Sequence, residues 1–505
     1  MTATPAPATA PTAAEPLVPM GSWLAAAGVT LVLAALGGRY GFHRDELYFI
    51  EAGHHRAWGY PDQPPLVPLL ATAWHDLTGG SLWAFRLVPA VLTGMLVVVA
   101  SLTSRALGGT TAEQVGTAVA ASVTALFVGA GHLFSTTTFD ILATATTLLL
   151  TIRAVHAPPE RDLRAWLAAG LAAGVTMEIK TLVAFAGLAA VVSLLLVGPW
   201  EPLRRPGPYV AALVSAGLAT PNLVWQATNG WPQLDMARQI AAGSSGTSTD
   251  RWLVVPMQLL IVGPLIGVVL VVGLVALLRS PRWRPYRWLG VAYLLMLVIV
   301  LITGGKPYYS AGLMLPLLAA GVAAALGWAA RSEGRTILLG ALLAVHVVGT
   351  ALIALPISTS GSPVTAFANG PNPDQGETIG WDQFVPSVMS SALAAPTATG
   401  ILTANYGEAG ALDRARRDGN VLPPVWSGHN AYGLWGPPPE SVTSVIVVGR
   451  FSDERLARWF ERCELVWRVD NAVDVDNEEQ GAPIRACVGR RAPWSVLWPE
   501  IRHLS

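Results

Sequence analysis

Residues 39–81 hold the densest set of reactive side chains in an otherwise charge-poor sequence. His43, Arg44, Asp45, Glu46, Glu51, His54, His55, Arg56, Asp62, His75 and Asp76 all fall in this one stretch. Adjacent carboxylates such as Asp45-Glu46 suit proton abstraction from a hydroxyl nucleophile, because a positioned carboxylate can act as a general base. A single acidic pair next to a helix also serves as an ordinary solvated charge. The clustering beside Pro61, Pro64 and Pro65, which stiffen the chain into a turn, favours the chemical reading. The four histidines raise the question of a metal. His54 and His55 are neighbours and would point to different helix faces, and no HExxH-type spacing occurs. The loop therefore supplies no metal motif, and a divalent ion would enter only as a partner of a bound phosphate.

The elements that must position this loop are membrane spans. Of 505 residues, 52% are hydrophobic and 13% charged, and the mean hydropathy is +0.47. A soluble chain carries about twice that charge. Basic and acidic residues balance at 32 each, which gives no electrostatic reason to expect nucleic acid. Apolar runs near 21–38, 82–103, 114–133, 136–153, 165–178, 181–198, 208–226, 252–278, 286–304, 310–330 and 335–356 predict about eleven transmembrane helices. Arg105, Arg153, Arg161, Arg164, Arg204, Arg205, Arg279, Arg282, Arg284, Arg287, Arg331 and Arg335 then fall on one face, which the positive-inside bias makes cytoplasmic. The Ala/Pro/Thr-rich residues 1–20 become a disordered cytoplasmic tail. The loops at 39–81, 227–251 and 304–309 face outward, and so does the segment 357–505. The chain is expected in the plasma membrane as a multi-pass protein, with 21–356 as its membrane unit.

The 357–505 segment changes composition. Ile401–Asn405, Ser441–Val448 and Ile484–Val488 read as strands, with a helix near Ala411–Arg417 and an amphipathic helix over Phe451–Cys463. A small α/β domain on the outer surface is the expectation. Its two cysteines, Cys463 and Cys487, stand open as a disulfide or as two separate thiols.

Only two of the 32 basic residues are lysines, Lys180 and Lys306, and both lie at predicted outer ends of spans. A compact ammonium is a good point-charge partner for phosphate. Snorkelling at the interface is the other reading, although arginine would serve equally there. Tyr308 and Tyr309 are either aromatic-belt residues or ligands. Arg44 is either a phosphate contact or the partner of a nearby carboxylate. Asp140 near the start of a span is favourable electrostatically in any case, and Glu178 is placed to neutralise Lys180. Leu47, Ile50, Ala57 and Trp58 suggest a helix lying in the membrane interface.

Asp45-Glu46, Asp62-Gln63-Pro64-Pro65-Leu66, Thr138-Phe139-Asp140 and Lys306-Pro307-Tyr308-Tyr309 together resemble the GT-C glycosyltransferases. The similarity is to the bacterial relatives of dolichyl-phosphate-mannose protein mannosyltransferases and of the lipid A aminoarabinose transferase, the glycosyltransferase family 39 type. It spans roughly residues 20–355. Tyr406-Gly407-Glu408-Ala409-Gly410-Ala411 and Ser427-Gly428-His429-Asn430 resemble the outer domain of an actinobacterial-type branch. The resemblance implies a GT-C fold and transfer of a sugar, with inversion, from a polyprenyl-phosphate donor to an extracytoplasmic glycan, lipid or protein. It places Asp45 as general base with Glu46 beside it. Arg44, Asp62, Gln63, Asp140, Lys180, Lys306, Tyr308 and Tyr309 would hold the donor phosphate and sugar, and Glu408 and His429 the acceptor. No cofactor is implied. A transporter or flippase of lipid-linked sugars is the alternative, but it would place charges mid-span and paired broken helices, whereas polarity here gathers at the outer edge.

Overall fold

The computed structural model describes residues 16–243, 250–395 and 397–504; residues 1–15 of the expected tail lie outside the described residues. Each of the eleven apolar runs falls on a helix or a helix pair. Among the described residues, six helices are long and apolar enough to cross a membrane: Leu82–Ala106, Thr136–Val155, Gly207–Thr228, Pro281–Thr303, Pro307–Ala329 and Glu333–Ala354. Two further runs are bent pairs. Thr111–Ser122 meets Ala125–Gly131 at 58°, and Arg251–Ile261 meets Pro264–Arg279 at 107°. The second bend has a local cause. Gly263 adopts φ +88°, which favours glycine, and Pro264 follows it at the start of the next helix. The run at 252–278 is therefore broken where the sequence reading drew one straight span. Met20–Leu36 and Leu182–Val197 are shorter apolar helices.

The segment after the last membrane helix forms a five-stranded sheet. Its strands are β1 (Gly400–Thr403), β2 (Val425–Ser427), β3 (Val445–Val448), β4 (Phe460–Arg468) and β5 (Pro483–Arg490), in the order β2-β1-β3-β5-β4. β1 runs parallel to β2 and β3, while β5 pairs antiparallel with both β3 and β4. The continuous apolar runs of β1 and β3 are buried on both faces, as central strands require. The helix expected over Phe451–Cys463 is shorter, Asp453–Trp459, and the chain then turns into β4. Pairing of β4 with β5 overrides helix propensity there. It sets Cys463 opposite Cys487, and the two are joined as a disulfide.

One hydrophobic core joins this domain to the first loop. Phe42, Leu47, Tyr48, Phe49 and Ile50 pack in the same cluster as Ile401, Leu412, Ile446 and Ile484. The loop and the outer domain consequently lie on one side of the membrane unit. The loop's own helix, Arg44–His54, is sandwiched between the Leu66–Leu77 helix and the outer-domain helix Tyr406–Arg417. This corrects the expectation of a helix lying in the interface. Leu47 and Ile50 are 2% and 1% exposed, whereas Trp58, beyond the helix end, is 64% exposed. Full burial of each aliphatic side chain stabilises by about 1.5–3 kcal/mol. The close approach depends on two glycines. A Cβ on Gly407 would come within 2.7 Å of Arg44 Cβ, and one on Gly410 within 3.0 Å of the Leu47 carbonyl.

Candidate active site

The Arg44–His54 helix starts with a capping box. The His43 ring accepts from the Asp45 amide at 3.2 Å, and Glu46 Oε2 accepts from the His43 amide at 2.8 Å. Asp45 is thereby held in the first turn, with its carboxylate turned toward the outer domain. The Tyr406 hydroxyl donates to Asp45 Oδ1 at 2.8 Å. A second tyrosine–carboxylate pair lies beside it: the Tyr48 hydroxyl donates to Asp62 Oδ1 at 2.7 Å, and the two tyrosine rings are 4.6 Å apart. Burial pushes the Asp62 carboxyl up to about 7; the Tyr48 hydrogen bond opposes the rise and the Asp45 charge adds to it.

Glu46 has a different environment. It is fully buried, and both oxygens are occupied. Arg86 Nε donates to Oε1 at 3.0 Å and its terminal nitrogen to Oε2 at 2.7 Å, while the Phe134 amide donates to Oε1 at 2.9 Å. Arg86 also donates to the Gly41 carbonyl at 2.8 Å and to the Arg39 carbonyl at 3.3 Å. Glu46 thus anchors the loop to the membrane unit and has no oxygen free for substrate. Its sequence-based pairing with Asp45 as a catalytic group is corrected on that ground. Arg86 was not singled out from the sequence. The signal was there: it is an arginine at the loop end of a span, opposite the end where the other loop arginines collect.

Arg44 takes the other of its two readings. It forms ion pairs with Glu478 and, at 3.6 Å, with Glu377, and its guanidinium lies 5.2 Å from the Tyr406 ring centroid. Ion-paired to carboxylates of the 357–505 segment, it clamps the loop to that segment. Burial raises the Glu377 and Glu479 carboxyls to about 7, with Arg44 opposing in both cases.

The second half of the site is the lysine group. The Lys180 ammonium sits 5.2 Å from the Tyr308 ring centroid and 4.9 Å from that of Tyr309. Burial lowers its pKa to about 8; Asp140 opposes the fall and Lys306 adds to it. Tyr308 and Tyr309 belong to the Pro307–Leu313 turn of helix, which packs through Gly312 against Thr144 of the Thr136–Val155 helix. Asp140, on that same helix, accepts from the Thr144 hydroxyl at 3.1 Å. Lys180, Lys306, Asp140, Tyr308 and Tyr309 are therefore brought together, and Tyr308 lies within electrostatic reach of Asp45.

The Pro61–Leu66 turn connects both halves. The Leu66 amide donates to the Glu178 carbonyl at 3.1 Å, fixing the turn to the junction that carries Lys180. Gln226 donates to the Tyr60 carbonyl at 3.1 Å on the other flank. Gln63 is 4% exposed, yet neither amide heavy atom has a hydrogen-bond partner among the described residues. A buried amide in that state is normally satisfied by water or ligand. The two acceptor candidates sit deeper in the outer domain. Glu408 is 1% exposed and caps its own helix through the Ala404 and Asn405 amides. His429 packs 4.5 Å from the Tyr406 ring and 4.5 Å from His503. Glu408 is a structural cap, and Tyr406, its neighbour in the same motif, is the residue that reaches the loop. Among the described residues no group of three or more His, Cys, Asp and Glu converges as a metal site.

Residues 62–225 match the family of dolichyl-phosphate-mannose-protein mannosyltransferases. Over the whole chain, the structure superposes on ArnT from Cupriavidus metallidurans bound to undecaprenyl phosphate. The TM-score is 0.62 at 16% identity, covering 93% of this chain and 98% of that one. The fold is GT-C. The apo state of the same ArnT gives a TM-score of 0.58 at 16% identity, with 92% and 98% of the two chains covered. The arabinofuranosyltransferase AftD from Mycobacteria gives 0.48 at 14% identity, over 94% of this chain and 40% of that one. No curated protein matches the sequence. The chain is a multi-pass membrane protein with the fold of ArnT, and Asp45 lies ahead of the stretch that the family match covers.

Proposed function

We propose that this chain transfers a sugar from a polyprenyl-phosphate donor to an acceptor hydroxyl on the outer face of the plasma membrane, with inversion. Asp45 is the general base in this reading. The observation that carries it is the position of Asp45. It stands in the first turn of the loop's helix, hydrogen-bonded by Tyr406 and within electrostatic reach of Tyr308, whose ring lies against the Lys180 ammonium. A base on one side and fixed positive charge on the other are the two things an inverting transfer from a lipid phosphate requires. Lys180 and Lys306 neutralise the departing phosphate, so no protonating acid is needed. Asp140, Gln63, Tyr308 and Tyr309 line the donor side. A GT-C neighbour that binds undecaprenyl phosphate supports a polyprenyl-phosphate partner.

The loop and the segment 357–505 face outward, with the N-terminus cytoplasmic. The Cys463–Cys487 disulfide supports this orientation, since such bonds persist in oxidising compartments. The deciding experiment uses purified protein in lipid vesicles with a radiolabelled polyprenyl-phosphate sugar and membrane-envelope acceptors. The expected result is a glycosylated product of inverted anomeric configuration. Movement of intact donor across the bilayer without product would establish transport instead.

A further inference from the structure

A cavity of about 460 Å³ opens at the far end of the paired helices Arg44–His54 and Tyr406–Arg417. The two helices run side by side in the same direction, with Arg44 against Gly407, Leu47 against Gly410 and Glu51 ion-paired to Arg417. Asp45 and Tyr406 meet at their N-terminal ends, and the cavity lies at their C-terminal ends. The separation along the helix from position 45 to position 51 is about 9 Å at the α-helical rise.

The lining is polar, aromatic and electrically balanced. Two carboxylates, Glu51 and Asp413, are matched by two guanidiniums, Arg416 and Arg417, with Asp413–Arg416 at 3.3 Å. Trp426 and Trp435 supply indole faces. Trp435 is fixed by stacking on His55, with ring centroids 3.8 Å apart and planes 8° from parallel, and Tyr432 donates to Asp413 at 3.0 Å. Tyr432 also continues back to the reaction site, because the adjoining Ala431 amide donates to the Tyr48 hydroxyl at 3.3 Å.

This combination matches one ligand chemistry. Apolar C–H faces of a sugar ring stack on indoles, and paired carboxylate and guanidinium groups present the planar donors and acceptors that neighbouring hydroxyls need. The balanced charge gives no gain to a phosphate or sulfate, and the four charged side chains in the lining disfavour an acyl chain. We propose that this cavity binds a neutral saccharide unit of the acceptor glycan, holding the chain so that a residue further along reaches Asp45. This rests on the glycosyltransferase reading above and deepens it, since it selects a glycan from among the acceptor classes.

The test uses the full chain in lipid nanodiscs on an array of neutral di- to hexasaccharides, with sulfated and phosphorylated counterparts printed beside them. Wild type and Asp45→Asn are expected to bind the same subset of neutral glycans. Trp435→Ala, and the exposed-site variant Arg416→Ala as a folding-safe second case, are expected to bind that subset about tenfold more weakly, roughly 1.4 kcal/mol. Absence of binding to every neutral glycan, binding confined to the anionic ones, or unchanged binding in both variants would each overturn the proposal. The two readings fail separately. A wild-type protein that binds the array but makes no product from a lipid-linked donor contradicts the transferase reading. A protein that transfers but ignores the array contradicts the cavity assignment.

Discussion

The phenol of Tyr406 donates a 2.8 Å hydrogen bond to Oδ1 of Asp45, so the outer domain touches the proposed base directly. Because the half-buried Tyr406 ring packs against Tyr48 and His429, it would stay in place without the hydroxyl. Tyr406→Phe is therefore expected to leave the thermal midpoint close to that of wild type. Transfer should fall by about 10- to 100-fold, the equivalent of about 1.5–3 kcal/mol for a hydrogen bond to a charged group. Steady-state kinetics against donor and acceptor check this, with the loss expected in kcat.

Glu46 and Arg86 form a buried, bidentate pair between the loop helix and the membrane unit. Removing one partner of such a pair leaves the other uncompensated and costs about 3–5 kcal/mol. Glu46→Gln should lower the unfolding midpoint sharply, while the fraction that remains folded at low temperature should retain transfer. A well-folded but inactive Glu46→Gln would instead assign Glu46 to the chemistry.

Lys180 is expected to act on the donor in a pH-dependent way. Its ammonium, pulled to about 8 by burial, is charged below that pH and neutral above it. The sign follows: donor affinity should be full near pH 7 and should decline as pH rises through about 8. Lys180→Met should weaken donor binding about tenfold at pH 7 and flatten that decline, and Lys180→Arg should restore affinity while moving the decline upward. Isothermal titration with a polyprenyl phosphate from pH 6 to 9 reads all three.

The membrane architecture was legible because a long apolar run has few alternatives in a lipid solvent. The breaks within runs were not drawn, although Gly263-Pro264 marks one of them plainly. Lys180, Lys306 and Tyr308-Tyr309 lie close together in the structure, as topology alone brings helix ends together. The partners of Arg44 and Glu46 could not be read in the same way. Glu377, Glu478 and Arg86 are 333, 434 and 40 positions away from them, and no local periodicity encodes such contacts. The role of Tyr406 was hidden for the same reason, even though its motif had been noticed. Gly407 and Gly410 are the surfaces that let the 357–505 segment press onto the loop, which again only a long-range contact shows. The helix expected over Phe451–Cys463 stops at Trp459 because pairing with β5 decides the conformation from Phe460 onward.

The most direct measurement compares Asp45→Asn with wild type in a single reconstituted system, reading donor binding and sugar transfer together. The amide of Asp45→Asn can still accept the Tyr406 hydrogen bond, so the fold should hold and donor affinity should stay close to that of wild type. Transfer should drop by about 10²–10⁴-fold, the contribution of a positioned general base. Undiminished transfer by Asp45→Asn would contradict the account at its centre.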